Sequence, residues 1–309
     1  MKATSSFYLI ILLVSLKFTA TAQQNKATDT TFKPKIGSFD IGYSYSPFTV
    51  NHKKMNIQQS TASVSVPLIN NFKDGKLDFL LAGVSYSGLT LSGMEQSFGE
   101  KEFYAISVPI TFQKSFSQKY ALLVSAIPTL SSDLKDVSGE DMSYSAFAML
   151  KIRTSKNFSY SVGAGYSRQF FGSILIPVIG IDWQINEKLS LSGTLPVSEK
   201  LKYQLSDKSI IGFSSDFGIG GGSYRLSKKT GSNYLQVQQY KNTLFYNYQL
   251  AKNFSVQISG GYNFVQKLDL YNKDQKVNWA PFNDLNKRVP LTELKKTGIT
   301  VESGISYRF

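Results

Sequence analysis

Apolar and polar residues alternate through most of the chain, and the last segment shows the pattern most clearly. Residues 297–309 read TGITVESGISYRF, in which Ile299, Val301, Ile305, Tyr307 and Phe309 share one parity. A period of two is typical of a β-strand with one apolar and one polar face. We expect this segment, which ends on Tyr307 and Phe309, to close a membrane β-barrel by pairing with the first strand, and to be recognised by the barrel-assembly machinery.

The same alternation recurs in about fourteen segments from residue 36 onward. One parity is apolar, the other is mainly Ser, Gly, Thr, Gln and Asn, and charges concentrate between the segments. This pattern predicts an all-β fold: a single transmembrane, antiparallel, up-and-down β-barrel with an apolar outer face and a hydrated interior. A soluble sandwich, the alternative, would carry more charge on its outer face. The weak segments 188–195 and 200–205 leave about twelve strands as a second possibility.

Short polar connections alternate with longer ones, which favours an even strand number. The short connections are 70–76, 114–119, 154–157, 185–188, 206–208 and 250–253. The longer ones are 48–56, 92–101, 132–142, 168–173, 227–232 and 269–296, and connection 196–199 is a short exception. Bacterial barrels place short turns on the periplasmic side and longer loops outside, so we expect both termini in the periplasm.

The N-terminus has the features of a secretory signal peptide. Lys2 precedes an apolar run of about ten residues, too short to span a bilayer as a helix, and Ala20 and Ala22 frame a small-residue cleavage site. We therefore divide the chain into a signal peptide (1–22), a short periplasmic segment (23–35) and an outer-membrane barrel (36–309).

Composition narrows the function classes. The chain of 309 residues has no cysteine and a formal net charge of +13. An exported protein without cysteine takes its order from a sheet rather than from disulfides. Its excess of positive charge indicates anionic lipid and lipopolysaccharide headgroups as partners rather than nucleic acid.

Charged residues supply two candidate sites. Six fall on the polar parity of predicted strands: Asp40, Lys151, Arg153, Asp182, Glu302 and Arg308. At membrane depth such groups must face water or a partner, so we expect them in the lumen, either paired or setting the selectivity of a pore. The longest predicted loop adds an outer basic and aromatic patch: Lys273, Lys276, Trp279, Lys287 and Arg288. We expect this patch to attract anionic solutes or lipopolysaccharide.

Catalytic and metal-binding signals are sparse. The single histidine, His52, lies in the first long loop and would need a nearby serine and acid, but no G-x-S-x-G motif frames a serine. Without cysteines or histidine pairs we expect no metal site and no cofactor. Four acids, Asp133, Asp136, Glu140 and Asp141, form a patch in the third outer loop, which is either solvated or a divalent-cation site.

The signal peptide, the aromatic-rich strands, the stretch IGIDWQINEKLSLSGTLP (residues 179–196) and the SYRF terminus resemble a family of Bacteroidota outer-membrane β-barrels of unassigned function. The resemblance implies an integral outer-membrane location in a Gram-negative cell and supplies no catalytic residue. We expect a non-enzymatic, porin-like protein: a passive channel or small-solute transporter with a polar lumen, or a barrel whose loops bind a surface partner. The alternatives are a lipid hydrolase or acyltransferase that uses His52, and a structural or adhesive barrel.

Overall fold

The computed structural model describes residues 34–50, 52–218, 222–228, 231–280 and 287–309. The predicted signal peptide and nearly all of the predicted periplasmic segment lie outside these residues. No helix in the described ranges is both long and apolar enough to cross a membrane.

Strands make up almost all of the described chain. They are β1 (Ser38–Val50), β2 (Lys53–Lys73), β3 (Lys76–Ser92), β4 (Glu102–Ser107), β5 (Ile110–Ser115), β6 (Tyr120–Ser132), β7 (Met142–Arg153), β8 (Phe158–Gln169), β9 (Gly172–Gln184), β10 (Leu189–Leu195), β11 (Ser198–Ser206), β12 (Ser209–Phe217), β13 (Gly222–Arg225), β14 (Tyr234–Ala251), β15 (Phe254–Tyr271), β16 (Val277–Ala280) and β17 (Thr292–Arg308). A short helix, α1 (Glu95–Phe98), and a 3-10 turn (Gly139–Asp141) lie in the connections.

The 17 segments build a closed barrel of fourteen wall strands. β4 and β5 are two halves of one wall strand, because both pair with β3 and with β6. β13 follows β12 along β14, and β16 adds to the free edge of β9. β17 pairs antiparallel with β1, from Ser38↔Arg308 to Tyr45↔Val301. The predicted closed barrel is therefore confirmed, with fourteen strands rather than twelve.

The connections differ between the two ends of the barrel. All the predicted short turns lie at the end that holds Ser38 and Arg308, which we call the terminus end. At the opposite end, the loop end, two predicted long loops are wrong. β1 pairs with β2 as far as Val50↔Lys53, and β8 and β9 are joined by a tight turn at 170–171. Polar residues suggested loops there, but strands that extend beyond lipid can be polar on both faces while their backbones stay paired.

One face of the wall is apolar and accessible along nearly every strand. Phe39 and Ile41 of β1 are 41% and 44% exposed, and Leu244 of β14 and Ile258 of β15 reach 69% and 58%. Apolar surface this extensive far exceeds the patches that soluble monomers expose. The predicted outward parity is confirmed, and the surface is the one expected of a barrel whose outer face contacts lipid.

At the loop end, β13 leaves the wall and crosses the mouth of the barrel. On one side, residues 222–225 pair with residues 237–234 of β14; on the other, Arg225 pairs in parallel with Ser132 of β6. β6 and β14 are not neighbours in the wall. The Ser131 hydroxyl also donates to the Ser223 carbonyl at 2.6 Å. Between the predicted connections 206–208 and 227–232 the chain therefore holds two strand segments, β12 and β13, and β13 bridges the mouth.

Candidate functional site at the loop end

A packed apolar cluster, the mouth cluster, adjoins β13 inside the barrel. Its fully buried members include Leu91 of β3, Phe103 of β4, Leu235 of β14 and Leu268 of β15. The remaining members are Ile57, Leu89, Met94, Phe98, Tyr224, Leu226 and Leu270. Because these residues come from several sides of the ring, the cluster occupies the interior and closes part of the mouth.

β14 divides the mouth into two compartments. Leu235 belongs to the mouth cluster, whereas the adjacent Tyr234 packs with Phe171, Ile174 and Tyr271 in a second cluster. Successive residues of a strand point to opposite faces. The loop-end part of β14 is therefore covered by protein on both faces. A wall strand, in contrast, has lipid on one face and the lumen on the other.

Arg288 anchors the second cluster. It is only 6% exposed, and its guanidinium carbon lies 5.0 Å from the ring centroid of Phe171 and 4.3 Å from that of Tyr271. Its Nη1 donates to the Tyr234 hydroxyl at 3.0 Å and its Nη2 to Gln236 Oε1 at 2.7 Å. Stacking and hydrogen bonds offset the burial of the charge. Arg288 is thus a buried anchor and not an exposed member of the predicted outer patch.

A second buried arginine, Arg225, pairs with three of the four acids of the acidic patch. Its guanidinium donates to Asp141 Oδ1 at 2.7 Å, Glu140 Oε2 at 3.0 Å and Asp136 Oδ1 at 3.4 Å. Asp133 accepts a backbone N–H at 3.0 Å. Burial lowers the pKa of Arg225, but the hydrogen bond to Asp141 and the carboxylate charges outweigh it, so the pKa is raised. Protein donors therefore bind the patch, and the described residues contain no metal-ligating group of three or more.

A recess of about 870 Å³ lies beside Arg225. Its walls are formed by the loop-end parts of β7, β8 and β9, the turn before β14 and the segment after β15. The charged residues that line it are Arg168, Arg225, Lys228, Lys273, Lys276 and Glu140. Its aromatic residues are Tyr144, Tyr166, Phe170 and Tyr234. Positive charge therefore dominates the lining of the recess.

The structure brings four of the six predicted lumen charges together in pairs. Arg308 Nη1 lies 2.9 Å from Asp40 Oδ2 across the β1–β17 seam, and Lys151 Nζ lies 3.5 Å from Asp182 Oδ2. The side chains of Asp182 and Arg308 are 69% and 50% exposed. Since both lie on the inward parity within two residues of a strand end, the opening at the terminus end is accessible to solvent while the loop end is packed.

The other two predicted charges have partners that the sequence analysis did not name. Glu302 forms an ion pair with Lys241 of β14 and accepts from the Ser259 hydroxyl at 3.2 Å. Arg153 donates to the backbone carbonyl of Gly75 at 3.3 Å. Lys241 was missed because its strand is rich in polar residues on both parities.

The rest of the predicted outer patch lies in the segment between β15 and β17. Lys273, Lys276 and Lys287 are exposed, and the first two line the recess. The side chain of Trp279 lies outside the described residues. His52 is exposed in the tight β1–β2 turn with a φ of 65°, and no described hydrogen bond joins it to a serine or an acid.

A closed antiparallel ring with an apolar outer face and charges turned inward defines a membrane β-barrel protein. The chain belongs to the family DUF6268, described as a domain of unknown function, which matches residues 21–307. No curated protein matches the chain.

Several solved structures are similar to it in fold. One is a KdgM porin in complex with disordered oligogalacturonate, with 9% identity, coverage of 88% of this chain and 99% of that chain, and a TM-score of 0.37. Another is outer membrane phospholipase A from Escherichia coli, with 12% identity, coverage of 92% and 94%, and a TM-score of 0.32. A mutant of the TodX monoaromatic hydrocarbon channel has 10% identity, coverage of 89% and 91%, and a TM-score of 0.37. At these identities the likeness concerns the fold alone.

Proposed function

We propose that the protein is an integral outer-membrane β-barrel of a Gram-negative bacterium, of Bacteroidota origin, and acts as a narrow passive channel for small solutes. The exposed apolar face of the wall supports the membrane location, because only lipid covers such a surface favourably. The signal-peptide pattern of residues 1–22 supports export. The barrel-assembly machinery is the proposed partner of the last strand, and lipopolysaccharide is a proposed partner of the outer surface.

The observation that carries the channel proposal is the solvent exposure of inward charges at the terminus end. A plug at the terminus end would bury these groups, yet the side chains of Asp182 and Arg308 at this opening are 69% and 50% exposed. Charges that line a hydrated lumen set its ion selectivity. The mouth cluster and β13 restrict the loop end, so the expected conductance is small compared with that of an open porin.

A second candidate is a non-conducting barrel whose loops bind a surface partner. The mouth cluster favours it, because a packed apolar core across the loop end would block ions. The two candidates therefore differ in one measurable property, conduction through the refolded chain.

Single-channel recording in planar bilayers tests the proposal. We expect small discrete currents, and Arg308→Gln should shift ion selectivity towards cations because a lumen cation is lost. Ile179→Val on the outer face is the matched control and should leave selectivity unchanged. Absence of currents from correctly folded protein would support the non-conducting barrel. His52→Ala should not alter lipid hydrolysis by the preparation; a loss would favour the hydrolase alternative.

A further inference from the structure

The recess has the volume and the lining of a small-molecule site. Its volume of about 870 Å³ falls within the range of about 300–1,000 Å³ typical of ligand pockets. Five cationic side chains and one carboxylate line it. The carboxylate, Glu140, already pairs with Arg225.

Four of the five cations have no ion-pair partner among the described residues. Arg225 is neutralised by Asp136, Glu140 and Asp141. Among the ion pairs of the described residues, none involves the other four: Arg168, Lys228, Lys273 and Lys276. Cations that converge on a concave wall create a positive potential, which attracts an anion.

Part of the wall is rigid, because it is built on paired strands. The register places Tyr144 of β7, Arg168 of β8 and Ser173 of β9 side by side on one face. It is the outward face, which the exposed Val162 and Leu175 share. The hydroxyls of Tyr166 and Ser173 lie 3.1 Å apart and form a hydrogen bond. Cross-strand neighbours of this kind hold fixed positions. A guanidinium beside tyrosine rings and hydroxyls offers paired donors for an anion and polar partners for hydroxyl groups.

We propose that this recess binds the anionic group of a small hydroxyl-bearing molecule, such as a sugar that carries a carboxylate or a phosphate. Arg168 would bind the anion through two N–H groups, and Lys273 and Lys276 would add charge from the segment after β15. The same chemistry occurs in a free solute and in the sugar phosphates of lipopolysaccharide. The recess lies at the loop-end rim, partly on the outer face of the wall, so the proposed site goes beyond the channel function and binding does not require conduction.

Calorimetric titration of the refolded full chain in detergent micelles tests the site. Glucuronate and glucose 6-phosphate are the free anionic probes, glucose is the neutral probe and glucosamine the cationic one. Lipopolysaccharide micelles, compared with phosphatidylglycerol micelles, form the lipid arm. We expect anionic probes to bind more tightly than glucose and to weaken as salt is raised.

A charge-neutralising variant and its control make the test specific. Lys273→Gln/Lys276→Gln should weaken binding of the anionic probe by about tenfold, since two charge-assisted contacts are lost. Lys208→Gln/Lys252→Gln removes two exposed lysines in terminus-end turns and should leave affinity unchanged. Far-ultraviolet circular dichroism of both variants verifies the fold.

Each outcome decides the proposal. Selective binding of a free anionic probe, or of lipopolysaccharide over phosphatidylglycerol, supports the site, and the arm that binds identifies the source. The site is overturned if glucose and glucosamine bind as tightly as the anionic probes, if no probe binds, or if both double variants weaken binding equally. Binding without bilayer currents would sink the channel and keep the site, whereas currents without binding would do the reverse.

Discussion

Arg225→Ala is expected to loosen the strand that crosses the mouth while leaving the wall intact. The side chains of Arg225 and Asp141 are only 7% and 0% exposed. Removing one partner of a buried ion pair typically costs about 3–5 kcal/mol, because the other charge stays buried without compensation. Asp141 would retain only its hydrogen bond from the backbone N–H of Ser138, at 2.7 Å.

Two apolar anchors oppose the release of β13. Tyr224 is 6% exposed and Leu226 is fully buried, and burial of such a side chain contributes about 1.5–3 kcal/mol. The lost ion pair is therefore comparable with both anchors together, so β13 should open locally rather than leave the mouth permanently. At about 1.4 kcal/mol per tenfold, the open population should rise at least about a hundredfold.

Amide hydrogen exchange of the peptide covering residues 222–228 measures this opening. Arg308→Ala is the matched control, because its ion pair with Asp40 is 50% and 33% exposed and should be worth at most about 1 kcal/mol. Arg225→Met/Asp141→Asn removes both charges and should recover most of the protection. If exchange rises less than about tenfold in Arg225→Ala, or equally in Arg308→Ala, the buried ion pair does not hold β13.

Three further outcomes follow from the same contacts. Arg288→Met should lower the local stability of the 287–291 segment by about 2–4 kcal/mol, because stacking and two hydrogen bonds are lost, and hydrogen exchange measures this loss. Arg288→Lys should not restore the stability, because an ammonium cannot stack on the rings as a guanidinium does. Ile258→Arg on the lipid face should destabilise the barrel in liposomes by about 2–4 kcal/mol in urea titrations, whereas Gln257→Arg on the inward face should be tolerated; equal effects would contradict the assigned outer face. Burial and, second, the hydrogen bond to Asp269 raise the pKa of Tyr271. The stability that the protonated Tyr271 hydroxyl contributes is therefore complete below about pH 10 and is lost as the pH rises through the higher folded-state pKa. In a tyrosinate absorbance titration, Tyr271→Phe should show one late-ionising tyrosine fewer.

The wall could be predicted from the sequence because lipid enforces a strict rule on each strand. Leu244, Tyr246, Tyr248 and Leu250 alternate with polar residues, and all four are exposed on the outer face. The short turns could also be predicted, since each consists of a few polar residues between two alternating segments. Even β10 and β11, the weakest segments in the sequence, pair in register from Leu189↔Tyr203 to Thr194↔Ser198.

The mouth was not predicted, although part of its signal is visible in β3. Val84 is 48% exposed on the outer face, but further along the strand Leu89 and Leu91 fall on the inward parity and are buried. Apolar residues thus change sides where the strand leaves lipid. Above the membrane the outer solvent is water, so the chain buries apolar residues inward, as a soluble protein does. The inversion therefore indicates a packed mouth.

In β15 the same change is hidden from the sequence, because a bulge performs it. Phe264, Leu268 and Leu270 share one parity and would all be expected on the lipid face, yet Phe264 is 48% exposed and Leu268 is fully buried. The register with β17 shifts between Asn263 and Gln266. A bulge moves every later side chain to the opposite face. The alternation of the sequence therefore identifies the lipid-facing residues of a strand only up to its first bulge. Beyond the bulge, the residue at which the strand passes from lipid into the mouth cluster is set by its pairing with the neighbouring strands.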